Sequence, residues 1–531
     1  MKYRIQQTYR DFCKTGLTQF HRSIYQGLRK YILSLVSRIS SKAIPIAVVL
    51  LGVLLSSACQ QEDMEPEGPA YSVETIKTPE GLSVESGGLD FLPNGRMIAC
   101  FRRGEVMTYN PETEEWDLFA YGLQDPLWIK AVSDHEVYVM QRAELTRVTD
   151  TDKDGKGDLY ETVTDDFGMS GNYAEFAYGP EIDEEGDFFI SLNTASAMAD
   201  VYNIMRGEFS PIGRKGRMYS AVPYRGWVLK VKPDGTTIPW ASGLRSPNGL
   251  ELDDEGNLFI TDNQGDWLGT SKLYHIRKNH FYGHAPSLVW EEGFENIEPL
   301  ELPVPVLDKM RTEAAVQFPH GFFVNSPTQP LIDRTGGKFG PFTGQMFVGE
   351  MNHKRIVRVI LEKVQGVFQG ATTSFIDSTG LNIGNNRLSF SPEGELWVGQ
   401  TDHGWPGDQG IQKITWNGSV PMEVLNMSLT ETGFELTFTK PVNPELASQP
   451  ENYNFERYYY KYHQAYGSDR YGIKDIKVTG AEVSDDRKKV TLQLEELDSD
   501  FIYDMRIENL ESESGDTLVH NRVYYTINRL R

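Results

Sequence analysis

The densest chemistry in the sequence is the stretch Asp150-Thr-Asp152-Lys-Asp154-Gly155-Lys156-Gly-Asp158-Leu-Tyr-Glu161. Counted from Asp150, carboxylates fall at positions 1, 3, 5, 9 and 12, a glycine for a sharp turn at 6, and a main-chain carbonyl at 7. Hard oxygen donors at that spacing wrap one Ca²⁺, so Asp150, Asp152, Asp154, Lys156 (through its carbonyl), Asp158 and Glu161 are the expected ligands. A solvated acidic turn is the plain alternative, but crowded carboxylates repel one another without a cation. No amphipathic helices flank the stretch, so it is expected to be an EF-hand-like loop whose calcium is structural.

A second constellation interleaves hydrogen-bonding groups with aromatic rings: Ser170-Gly-Asn172-Tyr173-Ala-Glu175-Phe176, Pro223-Tyr224-Arg225-Gly-Trp227, Gly243-Leu-Arg245-Ser-Pro-Asn248 and Asp262-Asn263-Gln264-Gly-Asp266-Trp267. Aromatic faces cover apolar sugar faces while Asp, Asn and Arg fork hydroxyls, so the pattern points to carbohydrate. Arg225, Arg245, Asn248, Asp262, Asn263, Trp267 and Trp405 are the expected ligand-binding residues. Imidazole titrates near working pH, which makes His320, His353 and His403 candidate bases. The expected catalytic set is His353, His403, Tyr173 and Arg142. His280 and His284 are four apart, but Phe-Tyr-Gly between them argues for a loop, not a zinc-binding helix.

These residues need a scaffold that gathers distant segments, and a repeated pattern supplies one. An apolar segment, a tight turn and an alternating strand ending in polar residues recur at 89–103, 249–263 and 388–403, with weaker copies at 131–142, 182–193 and 344–353. Turns between period-2 apolar runs make hairpins, and hairpins repeated at long intervals make blades around an axis. Six copies predict an all-β chain with a six-bladed β-propeller over 71–415, whose inner strands deliver their ends to the mouth of a central channel. After the turn-rich Trp416-Asn-Gly-Ser-Val-Pro421, residues 422–531 read as an Ig-like or fibronectin-like β-sandwich. The tyrosine-dense 453–466 is expected to pack that sandwich against the propeller rim in preference to stacking on sugar.

Residues 1–58 read as a lipoprotein signal peptide: a basic stretch, an apolar run from 43 to 55, and Leu55-Ser-Ser-Ala-Cys59 resembling a lipobox. Cys59 is the expected lipidation site, a simple membrane anchor being the alternative, and the acidic 59–70 is the expected tether. The predicted location is the outer membrane, exposed at its surface, with membrane contact through the lipid alone. The whole chain has net charge −23, and the basic leader makes the remainder more acidic still. That field excludes nucleic acid as a partner. Of three cysteines, only Cys100 lies in the folded part, so no intramolecular disulfide forms there.

Arg245-Ser-Pro-Asn-Gly249, Thr261-Asp-Asn-Gln-Gly-Asp-Trp267, Phe281-Tyr-Gly-His284, Gly336-Gly-Lys-Phe-Gly-Pro-Phe342 and Asp402-His-Gly-Trp405 resemble the exported glucose/sorbosone-dehydrogenase-like propeller proteins, also described as membrane-bound-dehydrogenase-like. The resemblance covers the propeller and, more loosely, the sandwich. It implies a sugar dehydrogenase-like quinoprotein, with pyrroloquinoline quinone (PQQ) as cofactor and Arg142 and Arg245 holding its carboxylates. The chain departs from the pattern at Ala174, where many relatives have His. It also has no Cys-x-x-Cys-His, so it would need a separate redox partner. Two other functions stay open: a lyase or dehydratase working by elimination on uronate-containing oligosaccharides, and a non-enzymatic glycan-binding propeller.

Overall fold

The computed structural model describes residues 69–199, 205–214, 216–377, 380–403 and 406–531. The expected signal peptide, Cys59, nearly all of the tether and Trp405 lie outside them. Among the described residues no helix is long and apolar enough to cross a membrane.

The chain is all-β, and among the described residues six four-stranded antiparallel arrays follow one another along it. The first is built from Ser86–Phe91, Met97–Phe101, Val106–Asn110 and Glu115–Ala120, and the second from Trp128–Ser133, Glu136–Met140, Leu145–Thr149 and Leu159–Thr164. The third, fourth and fifth begin with Ala177–Ile182, Pro247–Leu252 and Pro327–Ile332, and the sixth with Asn385–Phe390. These first strands touch in a closed cycle, each packed on the next and the sixth on the first, so they line an axis. Tyr71–Thr75 supplies the outer strand of the sixth array, pairing Tyr71 with Trp416 and Thr75 with Gln412. The ring is thereby closed by main-chain hydrogen bonds between the two ends of the repeat.

The inner strands can crowd together because their sequences are small or bulged where they meet. A Cβ on Gly87 would lie 1.9 Å from the Pro126 carbonyl oxygen, and one on Gly249 2.3 Å from Gln329 Cα. Register shifts at Ser86/Gly88, Pro247/Gly249, Pro327/Pro330 and Asn385/Arg387 re-aim the strand starts toward the axis. Between arrays, alternate apolar side chains interlock, as Ile98, Val106, Ile129, Val137 and Val139 do between the first and second. Cys100 is one of this packed set, a small buried hydrophobe as expected.

Residues 424–527 form two further sheets. Val424–Leu429, Gly433–Phe438, Lys489–Leu494 and Val478–Val483 make one; Tyr453–Tyr460, Arg470–Ile476, Phe501–Ile507 and Arg522–Ile527 make the other. Phe434, Leu436, Phe455, Val490, Tyr503 and Tyr525 fill the space between them. The second sheet is not free-standing. Arg522–Ile527 pairs with Val367–Asp377, the outer strand of the fifth array, so one eight-stranded sheet runs through both. The tyrosine run contacts the ring: Tyr462 Oη donates to the Gly283 carbonyl at 2.7 Å and its ring packs on Trp267, with centroids 5.3 Å apart.

Candidate active site at the channel mouth

Where the second strand of each array ends, the chain turns over the axis, and these turns with the inner-strand starts enclose a cleft of about 120 Å³. All six arrays contribute to it. Glu85 and Arg102 come from the first, Leu127 from the second, Phe176 and Asn193 from the third, Asn248 and Asn263 from the fourth, Met351 from the fifth, and Asn386 and His403 from the sixth. Its floor is tied together by Arg387, which is fully buried. That guanidinium donates to the carbonyls of Gly87, Leu127 and Asn248 and lies over the rings of Trp128 and Tyr178 at 4.8 and 4.9 Å. Burial pushes its pKa down to about 10, still far above neutrality, so one permanent cation cross-links the inner strands.

Charged groups cluster on one side of the mouth. His403 Nε2 lies 3.4 Å from Asp125 Oδ2, and His403 Nδ1 lies 3.8 Å from Glu85 Oε2. Among the described residues neither ring nitrogen has a hydrogen-bond partner, although both are buried. Arg102 pairs with Glu85 at 2.8 Å and Arg142 Nε approaches Asp125 Oδ2 at 3.6 Å. Phe176 packs its edge on His403 and its face on Arg142. Asp125 adopts φ 51°, a left-handed conformation that Asp tolerates better than most residues, and this turns its carboxylate into the mouth. Burial pushes the Asp125 carboxyl up, but His403 and Arg142 outweigh it and hold the group below the ordinary range. Across the cleft, Asn193 Oδ1 and Asn263 Oδ1 are buried without a hydrogen-bond partner. Buried polar atoms left unsatisfied carry a free-energy cost, and here they face a cleft that a hydroxylated ligand would fill.

Of the expected catalytic residues, His403 and Arg142 meet at this cluster. Tyr173 enters through its carbonyl, which accepts from Arg142, while its own side chain is largely exposed. His353 stands on the same rim but is turned to Glu350, its Nδ1 3.1 Å from Oε2. Asn248 and Asn263 line the cleft as expected.

Four expected binding residues are structural instead. Arg225 is fully buried and donates to the carbonyls of Gly168, Glu175 and Phe176, so it clamps the loop that carries Phe176. Asp262 accepts from the main-chain N–H groups of Arg245 and Ser246 and is buried, which raises its pKa. Arg245 lies behind that turn, 3.5 Å from Asp266 and over the Tyr466 ring. Trp267 is a core residue, packed with Leu268, Leu288 and Leu307. The reason is common to all four: loops over a propeller mouth need internal donors and rings to hold their shape, and these residue types serve that need as readily as ligand binding.

In the acidic loop, Asp150, Asp152 and Asp154 bring carboxylate oxygens within 4.8 Å of one another, which fits a hard cation. The carboxylates of Asp158 and Glu161 do not join them. Asp158 accepts from Thr151 N and Oγ1, and Glu161 lies on the strand Leu159–Thr164, paired with Arg147 at 2.6 Å. Strand alternation, absent from a true EF-hand, has carried the twelfth residue away.

Phe176 belongs to the aromatic and polar constellation read from the sequence, but Glu85, Asp125 and Arg387 do not. Glu85 and Asp125 precede inner strands and Arg387 lies near the start of one, whereas the repeat is legible from the residues that follow.

A family model described as a domain of unknown function (DUF7133) matches residues 109–401. No curated protein matches the chain. Among solved structures, a putative oxidoreductase (glucose dehydrogenase) from Thermus thermophilus is 16% identical, with 65% of this chain and 99% of that one covered at a TM-score of 0.46. The PQQ-bound aldose sugar dehydrogenase of Streptomyces coelicolor is also 16% identical, with 65% and 99% covered at 0.43. The PQQ domain of pyranose dehydrogenase from Coprinopsis cinerea is 12% identical, with 66% and 98% covered at 0.45.

Proposed function

We propose, on the premise that the chain belongs to the family described as a domain of unknown function (DUF7133), that it is a carbohydrate oxidoreductase whose proton acceptor is His403. The observation that carries this reading is the histidine itself: both ring nitrogens are unbonded in the cleft, between the carboxylates of Glu85 and Asp125. A sugar hydroxyl seated in the mouth gives its proton to one ring nitrogen. Asp125 and Glu85 orient the ring and stabilise the imidazolium that forms. Asn193, Asn248 and Asn263 bind the neighbouring hydroxyls, two of them through amide oxygens now lacking a partner.

A quinone such as PQQ, when bound, supplies the hydride acceptor. The donor set fits it at one edge of the mouth: Arg102 is about half exposed and its guanidinium can turn from Glu85 to an anionic group above, with Arg142 beside it. Arg245, 3.5 Å from Asp266 and not lining the cleft, is not among the residues that would hold it.

A second reading, elimination on a uronate-containing oligosaccharide, is favoured by the same two arginines. Guanidinium groups beside the base would neutralise the uronate carboxylate and ease removal of the adjacent proton. Lipidation of Cys59 and outer-membrane display complete the proposal, and C59S should release the protein from membranes if the lipobox is used.

The test supplies the purified protein with PQQ, Ca²⁺ and an artificial electron acceptor against neutral sugars and uronate oligosaccharides. Dye reduction lost in H403Q supports the oxidoreductase. A cofactor-independent unsaturated or dehydrated product lost in H403Q supports elimination. Glycan binding without either reaction removes both.

A further inference from the structure

A second and larger cavity, about 570 Å³, opens on the flank of the third and fourth arrays and shares no residue with the mouth cleft. Its walls are aromatic. Tyr224, Trp240 and Trp290 are each half-buried, presenting part of a ring to the opening, and Trp227 lies beneath Tyr224 with centroids 5.6 Å apart. Two of the three indoles are pinned: Trp290 Nε1 donates to Ser220 Oγ at 2.9 Å and Trp227 Nε1 to the Ser287 carbonyl at 2.8 Å. Two wall residues, Tyr224 and Asn279, hold left-handed backbone, φ 63° and 61°. For a bulky residue such as Tyr224 that conformation is rare and costs energy, and such outliers gather where a side chain must be aimed.

The charged groups lining the cavity are acidic. Glu208, Glu291, Glu292 and Glu295 line it beside the neutral Ser210 and Asn279; of the four, Glu291 accepts from the Ser242 hydroxyl at 2.8 Å and Glu295 from the Gly293 N–H at 3.0 Å. Lys278 and Lys230 lie near the Trp240 ring, at 5.3 and 5.4 Å, and Lys230 is itself paired with Asp183 and Asp187. Carboxylates repel uronates, sulfates and phosphates, but accept hydrogen bonds from sugar hydroxyls while ring faces cover apolar C–H surfaces.

We infer that this flank cavity is a second carbohydrate site, selective for uncharged pyranose oligosaccharides. It holds a chain on the protein surface without acting on it. The inference rests on the carbohydrate reading of the mouth for its ligand class, but not on any reaction there.

The test is tryptophan fluorescence and calorimetric titration of the full protein with short neutral gluco-, manno- and xylo-oligosaccharides, with uronate oligosaccharides and tetramethylammonium as comparisons. Wild type should bind at least one neutral series, with little dependence on salt. W290A should weaken it about tenfold, as loss of a stacked ring does. Y224G removes a ring while relieving the backbone, and should act likewise if W290A fails to fold. E292Q and E295Q keep hydrogen-bonding groups and should stay within about threefold of wild type, whereas a cation site would lose its ligand. The binding that W290A weakens should be unchanged in H403Q. The inference is overturned if no neutral oligosaccharide binds, if only uronates or the ammonium ion bind, or if H403Q alone abolishes binding. Turnover at the mouth without a flank signal would sink this inference and leave the mouth reading standing; flank binding without turnover would do the reverse.

Discussion

His403 Nε2 stands 3.4 Å from Asp125 Oδ2, and the two residues meet only because the ring closes. Asp125 lies on the turn entering the second array, while His403 follows the second strand of the sixth. They face one another once the sixth inner strand packs on the first. Asp125 is expected to orient the imidazole, so D125N should lower turnover about 10- to 100-fold while H403Q removes it. Initial rates on the active substrate check this, and unchanged kcat in D125N would remove Asp125 from the mechanism.

Arg225 should behave as a core residue. It satisfies three buried carbonyls, so R225M leaves them unpaired and should cost about 3 kcal/mol or more, read from denaturant midpoints. A variant of wild-type stability with a raised KM would restore Arg225 to substrate binding.

Lys272 gives a pH signature. Among the described residues it has no salt-bridge partner, and burial pushes its pKa down to about 7. The unfolded chain holds this proton up to an ordinary lysine value of about 10.4, so between the two values the unfolded state binds more protons. The penalty is therefore full below pH 7 and fades as pH rises toward the unfolded value. K272M should stabilise the protein on the order of 2 kcal/mol at pH 6 and leave it unchanged near pH 10. Chemical denaturation at both pH values decides, and an equal gain at each would mean the effect is packing.

The acidic loop should bind one calcium ion through Asp150, Asp152 and Asp154. At a hundredfold excess over Kd, stabilisation is about 3 kcal/mol. D154N should abolish that gain. E161Q should not, because Glu161 is committed to Arg147. Thermal melts with calcium and with chelator test the pair; loss of the gain in E161Q would mean that the loop closes around the ion as in an EF-hand.

The repeat was legible because it is local. Apolar alternation, turn glycines and the polar residue ending each second strand lie within about fifteen positions. That pattern yielded the all-β ring and the Cys100 core position, and it put His403 and Asn263 at strand ends, which line the cleft; the tyrosine contacts were read separately, from the amphipathic character of a tyrosine-dense run. It could not reveal that the C-terminal strand Arg522–Ile527 continues the sheet of the fifth array, since edge pairing is chosen by tertiary proximity.

The division inside the candidate site has one physical cause. Sequence alone determined which residue types crown the ring, because strand period fixes where each strand ends. Whether a given Arg, Asp or Trp faces ligand or holds a loop was decided only in three dimensions. Arg142 and Arg225 are the same residue type in neighbouring segments; one reaches the mouth beside Asp125, the other is surrounded by the carbonyls of the separate 168–176 loop that it clamps. Buried main-chain oxygens must be satisfied by whichever donor is nearest, and nearness across the axis is a property of the closed ring, not of the sequence order.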